Sequence, residues 1–258
     1  MSKYCAKNTK VSLITVVFNN VFFIEDSIKS ILTQSYRNIE IIIIDGGSSD
    51  GTVDIIKKYR NHLSVFISEE DSGVYSALNK GINFAKGDII GILHSDDIFE
   101  DPFVIEDMVN NFDIAKYDGI YGDVIHTKRN NEFAIHRYWK SGIYMKNSLK
   151  FGWMIPHPAL FLKVSVYKDV GKYNEKYQIS ADYDFIVRLL QSKFNLIYYP
   201  RIICKMRTGG KSSKDIRAIL KKFSEDLDVI RKNKIGGFYT LIFKNFFKVS
   251  QFFNRPSK

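Results

Sequence analysis

The stretch EIIIIDGGSSDGT, residues 40–52, decides how the rest of the chain is read. Together with Ile39 it opens as a β-branched apolar run over 39–44, bounded by Gly46 and Gly47, and reads as a buried strand. Asp45 ends that strand. The two glycines let backbone approach a ligand closely, and Asp45 can accept hydrogen bonds from a nucleobase or ribose. A helix is expected over 52–60, with Ser49 or Asp50 as its N-cap. Upstream, VSLITVVF (11–18) is a second buried strand, and Ile24, Ile28, Ile31 and Leu32 mark one face of a helix over 21–34. Downstream, a strand at 63–68, a helix at 74–85 and a strand at 88–93 continue the alternation. Strand–helix alternation with continuously apolar strands predicts an α/β fold, a mostly parallel sheet flanked by helices. Such sheets bind ligands beyond the carboxyl ends of their strands.

The fourth strand ends in His94-Ser95-Asp96-Asp97. Adjacent carboxylates repel and raise one another's pKa, a cost that a divalent cation offsets. Carboxylate oxygen suits Mg²⁺ or Mn²⁺, which in turn suit a diphosphate. Either acidic turn alone is an ordinary loop or helix cap. Both together, at strand ends of one parallel sheet, point to a site.

Composition narrows the classes. The 258 residues are 45% hydrophobic and 26% charged, with 20 Phe and 15 Tyr, so the chain is neither a disordered tail nor a fibre. Two cysteines, Cys5 and Cys204, exclude a disulfide framework and a cysteine zinc site. The opening MSKYCAKNTK is polar, so no secretory leader is expected. No uncharged apolar run reaches the ~20 residues of a spanning helix. From Lys205 onward there are 14 Lys and Arg against four Asp and Glu, an excess equal to the +10 of the whole chain. The first 204 residues therefore balance, and the basic tail suggests an anionic partner.

After residue 100 the pattern loosens. A helix at 101–112, strands near 117–126, 131–138 and 158–163, a helix at 181–192 and a strand at 195–199 are expected. Two helices close the chain. Ile216, Ile219, Leu220, Phe223, Leu227 and Ile230 form a stripe on the first. The second, 238–253, sets Lys244, Lys248, Gln251 and Arg255 opposite Phe238, Phe243, Phe246, Phe247, Phe252 and Phe253. A basic, aromatic helix suits an interfacial position on an anionic inner leaflet. Gly210-Lys211-Ser212 hints at a P-loop, but that motif needs glycine where Lys205 stands. No GxSxG, HExxH or GxGxxG occurs.

ITVVFNN (14–20), EIIIIDGGSSDGT (40–52), EEDSGVYSALNKGI (69–82), AKGDIIGILHSDD (85–97) and ISADYDFIVRL (179–189) together resemble the family 2 glycosyltransferases of GT-A fold. MIPHPALFLK (154–163) and KMRTGG (205–210) resemble the members that build bacterial envelope polysaccharides. The resemblance implies a GT-A catalytic domain over 1–208, with a nucleotide-binding half (10–100) and an acceptor half (101–208), and a helical extension over 209–258. It implies Phe18 against uracil, with Val17, Asn19, Asp45, Gly46, Gly47, Asp71, Asn79, Ser95 and Asp96 completing the nucleotide site. Asp96, supported by Asp97, would hold the metal. His94 departs from the family's acidic first DxD position, one anionic contact fewer.

The resemblance further implies Asp182 as the general base of an inverting transfer. The donor would be a nucleotide-diphosphate sugar, expected to be UDP-linked, and the acceptor a hydroxyl of a lipid-linked glycan. Trp153, His157 and Arg207 are candidate acceptor contacts. Arg207 with Gly209 and Gly210 could hold a phosphate. The protein is then expected in the cytoplasm, peripheral on the inner face of the cytoplasmic membrane. A sugar nucleotidyltransferase would need a basic, glycine-rich loop after the first strand, where Phe18-Asn19-Asn20 stands. A nucleic-acid-binding protein would use the basic tail, yet its phenylalanines lie in apolar runs and the body is neutral, so no nucleic acid is expected.

Overall fold

A computed structural model describes residues 8–129, 131–208 and 216–252, apart from the side chains of 247–250. Cys5, Gly209, Gly210, Lys211, Ser212, Phe253 and Arg255, and the side chains of Phe247 and Lys248, lie outside the described residues. In chain order the elements are β1 (Val11–Val17), α1 (Ile24–Leu32), β2 (Ile39–Asp45), α2 (Thr52–Lys58), β3 (Val65–Ser68), α3 (Val74–Phe84), β4 (Ile89–Ile92), β5 (Ile98–Phe99) and α4 (Val104–Asn111). Then come β6 (Gly119–Lys128), β7 (Asn131–Trp139), β8 (Leu160–Lys163), α5 (Val164–Val170), α6 (Ala181–Gln191), β9 (Leu196–Thr208), α7 (Ile216–Lys232) and α8 (Phe238–Ser250).

One sheet runs β3-β2-β1-β4-β8-β6-β9-β5, with β7 on β6. β3, β2, β1 and β4 are mutually parallel, as the apolar runs require. Beyond β4 the sheet is mixed: β8 is antiparallel to β4 and β6, while β6 is parallel to β9. Alternate side chains divide the core. Ile14, Val16, Ile42, Ile44, Ile90 and Ile92 pack with Leu78 of α3 and Phe185 of α6. Val11, Leu13, Ile41, Ile43 and Ile89 pack with Ile28 of α1, Ile56 of α2 and Val104 of α4 on the other face. Each such side chain contributes about 1.5–3 kcal/mol by leaving water. α3 lies hard against β1 because Gly81 has no Cβ; one there would stand 2.5 Å from Ile14.

Two expectations need correction. β9 does not stop near residue 199. It runs to Thr208, paired with β6 through Lys128↔Thr208, so Arg207 is a strand residue and not part of a loop. Lys244 also departs from the expected polar stripe: it is turned inward, whereas the phenylalanines beside it stay outward, as an interfacial helix has them. α7 buries Asp226, Val229 and Ile230, leaving Ile216, Leu220 and Phe223 exposed. α8 turns Thr240, Leu241 and Lys244 inward, while Phe238 and Phe246 are 66% and 68% exposed.

A buried ion pair explains that inward turn. Lys244 Nζ stands 2.8 Å from Asp226 Oδ1, and both side chains are 3% exposed. The same ammonium lies 3.2 Å from the centre of the Tyr183 ring. Lys222 adds a contact to Asp226 at 3.0 Å. α8 comes this close because Gly152, at φ +75°, has no Cβ to meet the Lys244 backbone. Burial pushes the Asp226 carboxyl up, but Lys244, Lys222 and the Ser180 hydroxyl outweigh it and hold it below the ordinary aspartate range.

Lys244→Met removes the buried cation from Asp226, leaving Lys222 and the Ser180 hydroxyl, and should cost about 3 kcal/mol in urea unfolding, with Asp226→Leu on top of it recovering part of the loss. Because the Asp226 pKa is lower folded than unfolded, its contribution is present above the unfolded value of about 3.9. It fades as pH falls through the folded value, and a pH series of melting temperatures reads that decline.

Candidate active site

Parallel strands deliver their carboxyl ends to one edge, and there β1, β2 and β4 border a cleft of about 750 Å³. Val16, Val17 and Phe18 come from β1 and the turn after it, and Gly46 and Gly47 follow β2. Glu70, Asp71, Ser72, Gly73, Val74 and Ala77 come from the loop after β3 and from α3. His94, Ser95 and Asp96 follow β4. Phe18 is 63% exposed, an apolar ring left in water at the mouth.

The loop after β2 is built around Asp45. That carboxylate is fully buried and accepts from Gly47 N (3.1 Å), Ser48 N (3.0 Å), Ser68 Oγ (2.7 Å) and the Ser48 hydroxyl. Asp45 thus stands behind the cleft wall and shapes it. Gly46 keeps the wall thin: a Cβ there would sit 3.0 Å from Asp71 Oδ2. Asp71 Oδ1 in turn accepts from Gly73 N at 2.8 Å. Asn19, at φ +48°, ties the first two loops together: its N–H donates to Ser48 Oγ (2.8 Å) and its Oδ1 accepts from Ser49 N (2.9 Å). Asn20 donates to Ser95 Oγ at 2.9 Å, joining the first loop to the acidic turn.

At the acidic turn the two carboxylates separate. Asp96 lines the cleft. Asp97 is buried, with Oδ2 lacking a hydrogen-bond partner, and burial followed by the Asp96 charge raises its pKa well above the usual range. Asp97 therefore supports the turn from behind and is no second ligand in the wall. Among the described residues no cluster of three or more His, Cys, Asp or Glu forms a ready-made metal cage. One cleft-facing carboxylate still fits Mg²⁺ or Mn²⁺, since such ions often take one or two carboxylates and complete their shell with phosphate and water.

Asp182 sits half-buried on the first turn of α6. The Tyr75 hydroxyl of α3 lies 2.7 Å from the Ile179 carbonyl and 3.2 Å from Asp182 Oδ1. Burial, then the Asp182 charge, raises the Tyr75 pKa far up, so it stays a neutral donor. Burial lowers the pKa of the cleft residue His94, while the charges of Asp96 and Asp182 pull it back up. Asp182 and Asp96 thus act on one ring. Asp184, two residues on, is buried in an ion pair with Arg188 at 2.8 Å.

The remaining candidates support the site from outside its wall. Asn79 bonds Tyr173 N, Tyr173 O and Glu175, pinning α3 to the 173–175 segment. Trp153 donates to Ser141 O at 2.7 Å and packs on Tyr121 and Tyr144. His157 is buried; its Nδ1 is 3.1 Å from the Tyr173 hydroxyl and its ring 5.3 Å from that of His94. Burial and then His94 push its pKa down to about 3, so it is neutral. Arg207 pairs with Asp26 (2.8 Å), lies over Phe23 and donates to the Asp96 carbonyl (3.1 Å). It braces the acidic turn. Tyr75 was not singled out from the sequence; its place in EEDSGVYSALNKGI, one helical residue into α3, is the signal that could have found it.

The sequence model of Glycosyl transferase family 2 matches residues 12–171. An uncharacterized glycosyltransferase of Mycobacterium tuberculosis is 29% identical, over 88% of this chain and 86% of its own length. A PGL/p-HBAD biosynthesis glycosyltransferase of Mycobacterium bovis is 27% identical, over 74% of each chain. Among solved structures, a fragment of S. aureus TarS in complex with UDP-GlcNAc superposes with a TM-score of 0.68 at 16% identity, over 87% of this chain. Mannosyltransferase PcManGT from Pyrobaculum calidifontis, in complex with GDP-Man and Mn²⁺, does so with 0.66 at 17% identity, over 89%. This chain spans 65% of each of those two structures. The fold is GT-A.

Asp45→Ala removes the buried acceptor that Gly47, Ser48 and Ser68 share and should lower the unfolding free energy by about 2 kcal/mol. Faster amide exchange at Gly47 and Ser48 would locate the loss in the loop after β2.

Proposed function

The chain belongs to glycosyl transferase family 2, and from that premise we propose that it is an inverting transferase using a nucleotide-diphosphate sugar, UDP-linked, as donor. The observation that carries this reading is the cleft itself, with Asp96 in its wall and Asp182 held by Tyr75 of α3, the helix whose Val74 and Ala77 line the same cleft. Phe18 stacks on the base. Gly46 and Gly47 let the nucleoside approach the loop that Asp45 holds, and Asp71 closes the nucleotide side. Ser95 and Asp96 meet the diphosphate. When bound, a Mg²⁺ or Mn²⁺ ion held by Asp96 supplies positive charge to the leaving diphosphate.

In the chemical step the acceptor hydroxyl oxygen bonds to the anomeric carbon as the bond from that carbon to the diphosphate breaks. The diphosphate leaves with the electron pair, and Asp182 takes the hydroxyl proton. One displacement inverts the anomeric centre.

The acceptor is a hydroxyl of a lipid-linked glycan in bacterial surface polysaccharide assembly. Support comes from the outward faces of α7 and α8, where Ile216, Leu220, Phe238, Ile242 and Phe246 are exposed beside a strongly basic composition. An apolar, basic face suits the headgroup region of an anionic leaflet. No helix among the described residues is long and apolar enough to cross a membrane. On the strength of that apolar, basic face, we read the protein as peripheral on the cytoplasmic side.

Asp182→Asn should keep UDP affinity within about twofold by calorimetry while lowering turnover about 10²–10⁴-fold. Near-normal turnover would remove Asp182 from its role. Asp96→Ala should abolish the Mn²⁺ dependence of UDP binding; an unchanged dependence would place the ion elsewhere. Replacing Phe238, Phe243 and Phe246 together by Ser should release the protein from phosphatidylglycerol vesicles. Unchanged sedimentation with the vesicles would remove the membrane reading.

A further inference from the structure

The turn that presents Asp182 is held almost entirely from outside its own helix. Glu225, in the middle of α7, accepts three successive backbone N–H groups with one carboxylate: Gln178 N (3.0 Å) on Oε1, and Ile179 N and Ser180 N (2.9 Å each) on Oε2. The carbonyl of Ile179 is taken from the other side by the Tyr75 hydroxyl, which also reaches Asp182. Ser180 occupies the N-cap position of α6 but makes no side-chain cap. Its hydroxyl donates instead to Asp226 Oδ1 at 2.7 Å. Tyr177 donates to Asp228 Oδ2 at 2.8 Å. One face of α7 thus grips the segment entering α6, and Lys244 of α8 fixes that face through Asp226.

A helix needs none of this merely to pack. α7 already buries Val229 and Ile230 against the body. The acidic residues add direction: they order the backbone N–H groups immediately ahead of Asp182, so the Asp182 carboxylate starts from a fixed Cα. Hydrogen bonds to a charged acceptor are about twice as strong as neutral ones, so this clamp is stiff. Glu225 lies well beyond residue 171, where the family match ends.

We propose that Glu225 is a positioning residue for Asp182, and that α7 and α8 thereby form part of the support of the active site. The proposal rests on the reading of Asp182 as the base. Because misplacing a reacting group by about 1 Å can cost about 10²-fold in rate, loss of the clamp should appear in turnover.

The test uses the full chain and two readouts. The first is the NMR shift of the His157 ring Cε1–H, which needs no substrate: His157 contacts the Tyr173 hydroxyl, and the Tyr173 ring stacks on Tyr75, which donates to Asp182. The second is UDP release from a panel of UDP-sugars with water as acceptor. Glu225→Ala should move the His157 shift most of the way to its value in Asp182→Asn and lower UDP release about 10²-fold. UDP affinity and binding stoichiometry should hold. Glu225→Gln, which keeps one acceptor oxygen for Ile179 N and Ser180 N but loses the charge and the acceptor for Gln178 N, should move the shift and the rate only part of the way. Val229→Ala, which loosens α7 without touching the clamp, should lower the melting temperature and move neither readout. A wild-type His157 shift in Glu225→Ala overturns the proposal, and so does an equal response in Val229→Ala. Unchanged UDP release in Asp182→Asn overturns the base assignment instead, and the His157 shift still reports whether Glu225 holds that carboxylate.

Discussion

The parallel pairing of β1 with β2 on one side and β4 on the other is the constraint on which the rest depends. Val17 stands opposite Asp45, and Ile14 opposite both Ile42 and Ile92. That register brings three strand ends to one edge, so three loops far apart in the chain become neighbours. Slipping β4 by one residue would put a side chain where Gly91 leaves room for the Phe161 ring, since a Cβ there would stand 2.4 Å from it. The core that fixes the sheet therefore also fixes the cleft. Gly81 tightens the arrangement by letting α3 lie on β1, which carries Tyr75 and Asp71 to the same edge.

Most polar residues near the cleft hold the shape of its wall, and few face the space inside. Asp45 folds the loop after β2 around itself, Asn19 and Asn20 join three loops, and Arg207 braces the acidic turn from β9. A buried carboxylate is costly unless its lone pairs are filled, and Asp45 fills them with loop donors. What remains open in the wall is a short set: an exposed aromatic ring, two glycines, and the carboxylates of Glu70, Asp71 and Asp96. A preformed polar frame of this kind needs little reorganisation when charge develops beside it.

The last two helices join the two ends of the functional reading. Their inward side sets ions among apolar groups: Asp226 with Lys244 and Lys222 beside Val229, Ile230 and Leu241, and Glu225 on the backbone ahead of Asp182. Their outward side is apolar and aromatic. A helix pair with this polarity cannot be exchanged for a plain amphipathic hairpin, whose apolar face would turn inward. The face proposed to meet an anionic leaflet and the support of the proposed base belong to the same two elements.

The local sequence by itself determined a good deal. The β-branched runs at 11–17 and 39–45, each followed by turn chemistry, specify strands buried on both faces, and the alternation with helices specifies their parallel order. The acidic and glycine-rich turns, sitting at those strand ends, were legible as a ligand edge, and Phe18, Gly46, Gly47, Asp71, Ser95 and Asp96 do border one cleft. The tertiary structure decided which polar residues face that cleft. Asp97 and Asp96 are neighbours with the same side chain, yet only the packing of β5 and β9 buries one and leaves the other in the wall. Asn79, Trp153 and Arg207 carry groups suited to a ligand, but contacts 12 to 181 residues away engage them first. The inward turn of Lys244 was equally closed to periodicity. An apolar stripe predicts the buried face only while hydrophobic burial dominates, and here the partner of Lys244 lies on another helix.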